Sequence, residues 1–402
     1  SDLSSFWFCC VVALFATGQI STMNFISSFV ILGIAVGVGY LLFDVVQKQG
    51  DVLTAFSGEM SLTPTQLQLA GTAFCLSPLP GVLMDSLPKE DTPFEPISSF
   101  AESGKVNEGD YTKDSIYAIL YSIYRTLGQV DSPSGVKYQF TFNTWGFTDV
   151  PWILDESEPQ RHGKAAYQGL VEFDAVKSYL EGKESTKFME IGSGTGAGGN
   201  WISSIVKGSH YTCLDMQRAA IDTCNELHAK HNPNLKCQLV EGGVGNKGNK
   251  APAPDGSTDV VVISETHIAE VDIGPEEEAI FEEIQRMLKP GGFFVWGNAL
   301  PTHVWHKGSA HLQKMGFIPC GERNHTAGAV KARQEDAKRV DMFVQSVIDF
   351  FPVQSVPYFG PRCGGVTSLL IKNFYRHPGT QLYEKMVVGY DSYMHLCFQK
   401  PA

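Results

Sequence analysis

Lys187-Phe188-Met189-Glu190-Ile191 runs directly into Gly192-Ser193-Gly194-Thr195-Gly196-Ala197-Gly198-Gly199, and Asn200–Val206 continues at helical spacing. A short apolar strand, a glycine-rich turn and a helix N-terminus in that order form a place where bare backbone N–H groups can approach a ligand closely. The next strand, Tyr211-Thr212-Cys213-Leu214, ends at Asp215. An acid at that position suits a two-pronged grip on ribose hydroxyls. Further on, the helix Arg218–Lys230 precedes a strand Lys236–Val240. Asp259-Val260-Val261-Val262-Ile263-Ser264 is apolar without alternation, as a strand buried on both faces should be. A helix over Glu276–Leu288 stops at Lys289-Pro290-Gly291-Gly292, and Phe293–Trp296 is the strand after it. Strands alternating with helices predict an α/β, doubly wound, Rossmann-like sheet.

Outside this core the chain changes character. Among its 402 residues there are 31 Lys and Arg against 43 Asp and Glu, a net charge of −12. That balance argues against a nucleic-acid partner, because phosphate backbones need a basic face. Between Asp2 and Asp44 there is no charged residue, and Ile26–Phe43 is mostly apolar. At 1.5 Å per residue this run covers roughly 27 Å, close to the ~30 Å of a bilayer core. The expectation is a membrane anchor in residues 1–50, with a transmembrane helix at about 25–46. Gly33 and Gly37 on it would permit close helix packing. A shorter apolar run within 3–20 is compatible with a hairpin arm, an interfacial helix or a targeting segment. Residues 51–136, punctuated by Pro64, Pro78, Pro80, Pro88, Pro93 and Pro96, read as a linker. It carries one amphipathic helix through Ile116, Ile119, Leu120, Ile123, Tyr124 and Leu127. The catalytic-type domain is expected over 137–402, facing a cytosol-like compartment (cytosol, stroma or matrix). Nine Cys without C-x-x-C spacing predict reduced thiols rather than a disulfide scaffold. His303, His306 and His311 lack a nearby acid, so no metal site is expected.

Two ligand classes fit the turn. Gly192, Gly194 and Ala197 satisfy the dinucleotide fingerprint, yet Glu190 would repel a pyrophosphate and attract a cationic amino-acid group. This acid, the Leu288-Lys289-Pro290-Gly291-Gly292 unit and a returning last strand at Tyr390–Gln399 together resemble the class I S-adenosylmethionine-dependent methyltransferases. Asn143-Thr144-Trp145-Gly146-Phe147 resembles the segment leading into lipid and polyketide methyltransferases. His377-Pro378-Gly379-Thr380-Gln381-Leu382-Tyr383-Glu384-Lys385-Met386 is similar to the closing segment of phthiotriolone/phenolphthiodiolone dimycocerosate O-methyltransferases. The likeness spans about residues 138–400.

The resemblance implies S-adenosylmethionine as cofactor. Glu190, Gly192, Ser193, Gly194 and Gly196 would hold its methionine end, Asp215 the ribose, and Met216 would cover the adenine; Glu265 belongs to the same set. The acid facing the adenine amine in that family is replaced here by Glu241-Gly242-Gly243-Val244. Glu265-Thr266-His267 stands where the family carries a Glu and a His, which makes His267 the expected catalytic base. The implied reaction moves a methyl group to oxygen, or carbon, of a hydrophobic acceptor such as a lipid, quinone, sterol or polyketide. The alternative is a methyltransferase-like accessory subunit of a membrane complex. A helix over Ala329–Phe351 fits either a lid on the acceptor or ordinary packing on the sheet.

Overall fold

The computed structural model describes residues 121, 123–127, 129–131, 137–139, 141–158, 160–266, 273–350, 368, 371, 372 and 374–402. The expected anchor and nearly all of the expected linker lie outside them. No helix among the described residues is long and apolar enough to cross a membrane.

Seven strands form one sheet: β3 (Thr186–Ile191), β4 (Ser209–Asp215), β5 (Leu235–Leu239), β6 (Thr258–Ser264), β7 (Leu288–Pro301), β8 (Ile318–Asn324) and β9 (Asp391–Gln399), in the order β5-β4-β3-β6-β7-β9-β8. The first five are parallel, and β9 slots antiparallel between β7 and β8. The returning last strand is therefore where the sequence places it. A separate hairpin, β1 (Gln129–Asp131) with β2 (Lys137–Gln139), pairs Val130 with Tyr138 and straddles the boundary expected at residue 137.

Side-chain alternation builds the two cores. Val261, Ile263, Phe294 and Trp296 face one side, against Phe281, Ile284 and Met287 of helix α5 (Pro275–Met287). Val260, Val262, Phe293 and Val295 face the other, against α1 (Arg161–Val171), α2 (Asp174–Leu180) and α3 (Ala197–Ile205). Every residue of β6 is buried, which explains its unbroken apolar run. Helix α4 (Arg218–Leu227) joins β4 to β5. Helix α6 (Thr302–Lys314) follows β7, and α7 (Thr326–Phe350) and α8 (Gln381–Val387) fill the stretch between β8 and β9.

Two expectations need correction. The Lys289–Gly292 turn is not a break before the strand. It is a bulge inside β7, where pairing jumps from Thr258↔Leu288 to Val260↔Phe293, with Gly291 at φ 75°. The thiols are not all reduced: Cys224 pairs with Cys237 across 6.2 Å between Cα atoms, and Cys320 with Cys397 across 5.2 Å. The second pair joins neighbouring strands whose cysteines are 77 residues apart, a proximity created only by the inserted last strand. Tyr121, Ile123 and Tyr124 of the expected amphipathic helix are buried.

Candidate active site

The carboxyl ends of β3 and β6 open onto one cavity. Gly192–Thr195, Ala197 and Gly198 form its floor; Thr141–Thr144, Tyr121, Tyr167, Ser264 and Glu265 form its walls. The floor depends on glycine. At Gly192, φ is 73° and an added Cβ would lie 2.3 Å from the Thr266 side chain. At Gly194, φ is 53°, a region that side chains rarely tolerate. The loop is held from below. Gly192 N–H and Ser193 N–H donate to the Leu214 carbonyl at 2.8 and 3.0 Å, and Gly194 N–H donates to Asp215 Oδ2 at 2.8 Å. Gly196, at φ 75°, is the N-cap of α3.

The expected residues divide. Gly192, Ser193, Gly194 and Glu265 come together around the cavity. Asp215 closes the β4 end. Besides the Gly194 N–H, its carboxylate accepts the Gln217 N–H at 2.8 Å, so part of its capacity goes to shaping the loop. Met216 is 45% exposed, and its sulfur would lie 3.8 Å from a Cβ on Gly243. The Gly243 position therefore presents backbone to Met216, where the family's acid would stand. His267 lies outside the described residues.

Glu190 departs from its expected place. It points to the sheet face shared with Phe188, where Tyr167 OH donates to it at 2.8 Å and Tyr211 OH at 3.1 Å. It is fully buried and is not part of the cavity wall. Burial lifts its carboxyl to about pKa 8, against the lowering effect of the two tyrosine hydroxyls.

Glu265 is the best-connected acid at the mouth. Trp145 N–H reaches its two oxygens at 2.7 and 2.9 Å, Tyr393 OH donates at 2.7 Å, and Arg376 lies 3.5 Å away. Burial raises its pKa, with Arg376, Tyr393 and Trp145 pulling the other way. The lead-in segment is laced down on its other side as well. Gln160 Oε1 accepts from Thr141 N–H and Phe142 N–H at 2.9 and 3.1 Å, and Thr195 Oγ1 donates to the Thr141 carbonyl.

Sequence reasoning missed Tyr121, Tyr167, Gln160, Tyr393 and Arg376. Each comes from an element remote in sequence from the glycine turn, so no local spacing marks it. The Trp145 stretch was visible as a motif, but not its bond to Glu265, 120 residues away.

The chemistry of the residues in and beside the cavity suits a nucleoside with an amino-acid tail. Among its lining residues, Asn143 Oδ1 and Thr144 Oγ1 are buried without a hydrogen-bond partner. The glycine floor offers backbone at closest approach, Asp215 lies beside it, and Met216 supplies an exposed apolar face.

Comparison with known proteins agrees. Residues 188–292, which carry the floor and the central strands, match the methyltransferase domain family. A probable phthiotriol/phenolphthiotriol dimycocerosates methyltransferase 2 of Mycobacterium ulcerans is 26% identical over 48% of this chain and 69% of its own length. A fatty-acid O-methyltransferase of Mycolicibacterium smegmatis is 22% identical over 65% of this chain and 84% of its own. A phthiotriol/phenolphthiotriol dimycocerosates methyltransferase of Mycobacterium tuberculosis is 24% identical, covering 65% of this chain and 86% of that one. The family match falls on the strands and loop that build the cradle, and the chain is in this way similar to the class I S-adenosylmethionine-dependent methyltransferases, with S-adenosylmethionine as its methyl donor.

Proposed function

We propose that this enzyme methylates an oxygen of a hydrophobic, lipid-like acceptor while held at a membrane by residues 25–46. The observation that carries the acceptor class is the apolar cluster beside Glu265. Trp145, Phe147, Tyr383, Met386 and Tyr393, drawn from the lead-in segment, α8 and β9, pack together, and Trp145 and Tyr393 bond to the cavity-lining Glu265. The similar mycobacterial enzymes are named for fatty acids and for dimycocerosate lipids, which supports the same class here. Anchoring suits such acceptors because they partition into the bilayer.

When bound, S-adenosylmethionine supplies a methyl group made electrophilic by its positively charged sulfur. The chain's residues do the rest. The glycine floor and Asp215 fix the donor, with Met216 over the adenine. The lead-in segment, clamped by Glu265 and Gln160, closes the methionine side and excludes water. Holding both reactants in line supplies much of the rate. His267, two residues past Glu265, is our proposed base for an acceptor hydroxyl. It would accept the proton of that hydroxyl, while the cofactor, when bound, would supply the methyl group. A carboxylic acid acceptor, ionised at neutral pH, needs no base.

The test is transfer of radiolabelled methyl from S-adenosylmethionine by the full chain in mild detergent. Palmitic acid, hexadecanol and a lipid extract of the native membrane serve as separate acceptors. Label should enter the organic phase with at least one of them, and Asp215→Ala should lower it by at least about tenfold, the loss of one good polar contact. Binding of the cofactor with no label in any lipid would refute the acceptor class and favour an accessory subunit.

A further inference from the structure

We propose that the carboxylate meeting the positive charge of the bound cofactor is Glu265, and that Glu190, the acid next to the glycines in sequence, takes no part in that contact. Strand geometry separates the two. Successive residues of β3 alternate between the sheet faces, and Glu190 opposes Cys213 and Val262 on the side covered by α1 and α3. Tyr167 and Tyr211 cap its two oxygens there. With a pKa lifted to about 8, it is largely protonated at pH 7 and offers a cation little.

Glu265 lies just past the end of β6, where the chain turns through φ 49°. Only three non-glycine residues among those described have positive φ: Asp149, Glu265 and Arg376. Glu265 and Arg376, at φ 51°, are the two halves of one ion pair. Backbone held in that region on both sides of a buried contact marks a position that the surrounding structure enforces. Glu265 shares its cavity with Gly192, Ser193 and Gly194, and its side chain is only 1% exposed.

The anion is organised but not saturated. Oε1 takes two short bonds, from Trp145 N–H and Tyr393 OH. Oε2 has the longer Trp145 contact and Arg376 at 3.5 Å. The Arg376 guanidinium also lies over the Trp145 ring, 5.6 Å from its centre. A carboxylate removed from water, with Arg376 at 3.5 Å and Arg333 also acting on it yet its pKa still raised, gains from a further positive group. A ligand carrying a sulfonium and an ammonium provides one.

Calorimetric titration of the full chain tests this without any methyl acceptor, so the outcome is independent of the proposed acceptor class. S-adenosylmethionine and S-adenosylhomocysteine differ by the methyl and the charge on sulfur. Glu265→Gln keeps an oxygen to accept from Trp145 and Tyr393 but removes the charge. It should cut the preference for S-adenosylmethionine over S-adenosylhomocysteine about tenfold. Affinity for S-adenosylhomocysteine should stay within about threefold, as a folded site requires. Glu190→Gln should leave the preference unaltered. An unchanged preference in Glu265→Gln, or its loss in Glu190→Gln, overturns the assignment. Should Glu265→Gln fail to fold, wild-type protein still decides. An analogue with an ammonium in place of the sulfonium must bind more tightly than S-adenosylhomocysteine, and equal binding overturns the proposal.

Discussion

Strand β6 has a buried acid at each end, and the two have opposite fates. Asp259, near its start, and Glu265, just past its finish, have side chains about 1% exposed. Around Asp259, Tyr179 OH and Lys183 Nζ donate to one oxygen at 2.8 and 3.0 Å; Lys187 N–H and Lys289 Nζ donate to the other at 2.9 and 2.8 Å. Burial pushes its pKa up, yet these four donors outweigh it and bring the carboxyl down to about 2. At Glu265 burial wins over the Arg376 and Arg333 guanidiniums and two neutral donors, and the pKa rises. Both side chains are shielded from solvent contact, but Glu265 lies deeper than Asp259, so depth and the supply of positive charge together set them apart. A fully supplied acid staples the sheet, and an undersupplied one is left to attract a ligand.

Three substitutions sharpen that contrast. The largest effect should come from Asp259→Ala, which strands two lysines around an apolar gap. Loss of a buried pair's partner predicts about 3–5 kcal/mol of stability by denaturant titration. Cofactor affinity, measured well below the unfolding transition, should be unchanged. A matching loss of affinity would show that the two ends of β6 are not independent.

Glu190 comes next. Its folded pKa of about 8 lies above its ordinary value, so the native state keeps a proton that the unfolded chain releases. Its contribution is fully present below about pH 4.5 and is lost as pH rises through 8, on the order of 2 kcal/mol over that window after relaxation of the site. Glu190→Gln should remove this slope, and a variant with the wild-type pH profile would mean that Glu190 ionises freely. The smallest effect belongs to Lys183→Ala. Its side chain is 32% exposed and Lys289 remains on the acid, so less than about 1 kcal/mol is expected. A larger loss in thermal melts would mean that Asp259 depends on both cations together.

The sheet was legible because its signals are local. A glycine turn between a strand and a helix, a buried run of valines and a helix ending in Pro-Gly-Gly can each be read within a dozen residues. Even there, Pro290 suggested a stop where the strand continues through a bulge. The site was half legible. Gly192, Ser193 and Gly194 line the cavity because the loop's own conformation positions them, while Asp215 holds that loop through the Gly194 N–H without lining it. Glu190 misled because period-2 alternation, not adjacency to the glycines, chooses the face a strand residue occupies. Tyr121, Tyr393 and Arg376 reach the site by tertiary folding of distant segments, which no window of sequence contains. The paired Cys320 and Cys397 were hidden for the same reason.

The inserted position of β9 has a consequence for biosynthesis. Strand β8 has no other neighbour in the sheet, and Tyr393, which steadies Glu265, belongs to β9 itself. A nascent chain that has emerged only as far as α8 therefore owns its glycine floor but neither the seventh strand nor the hydroxyl that orders the mouth. Assembly of a working enzyme must wait for β9 to leave the ribosome, and products terminated before it should be inert rather than half-active.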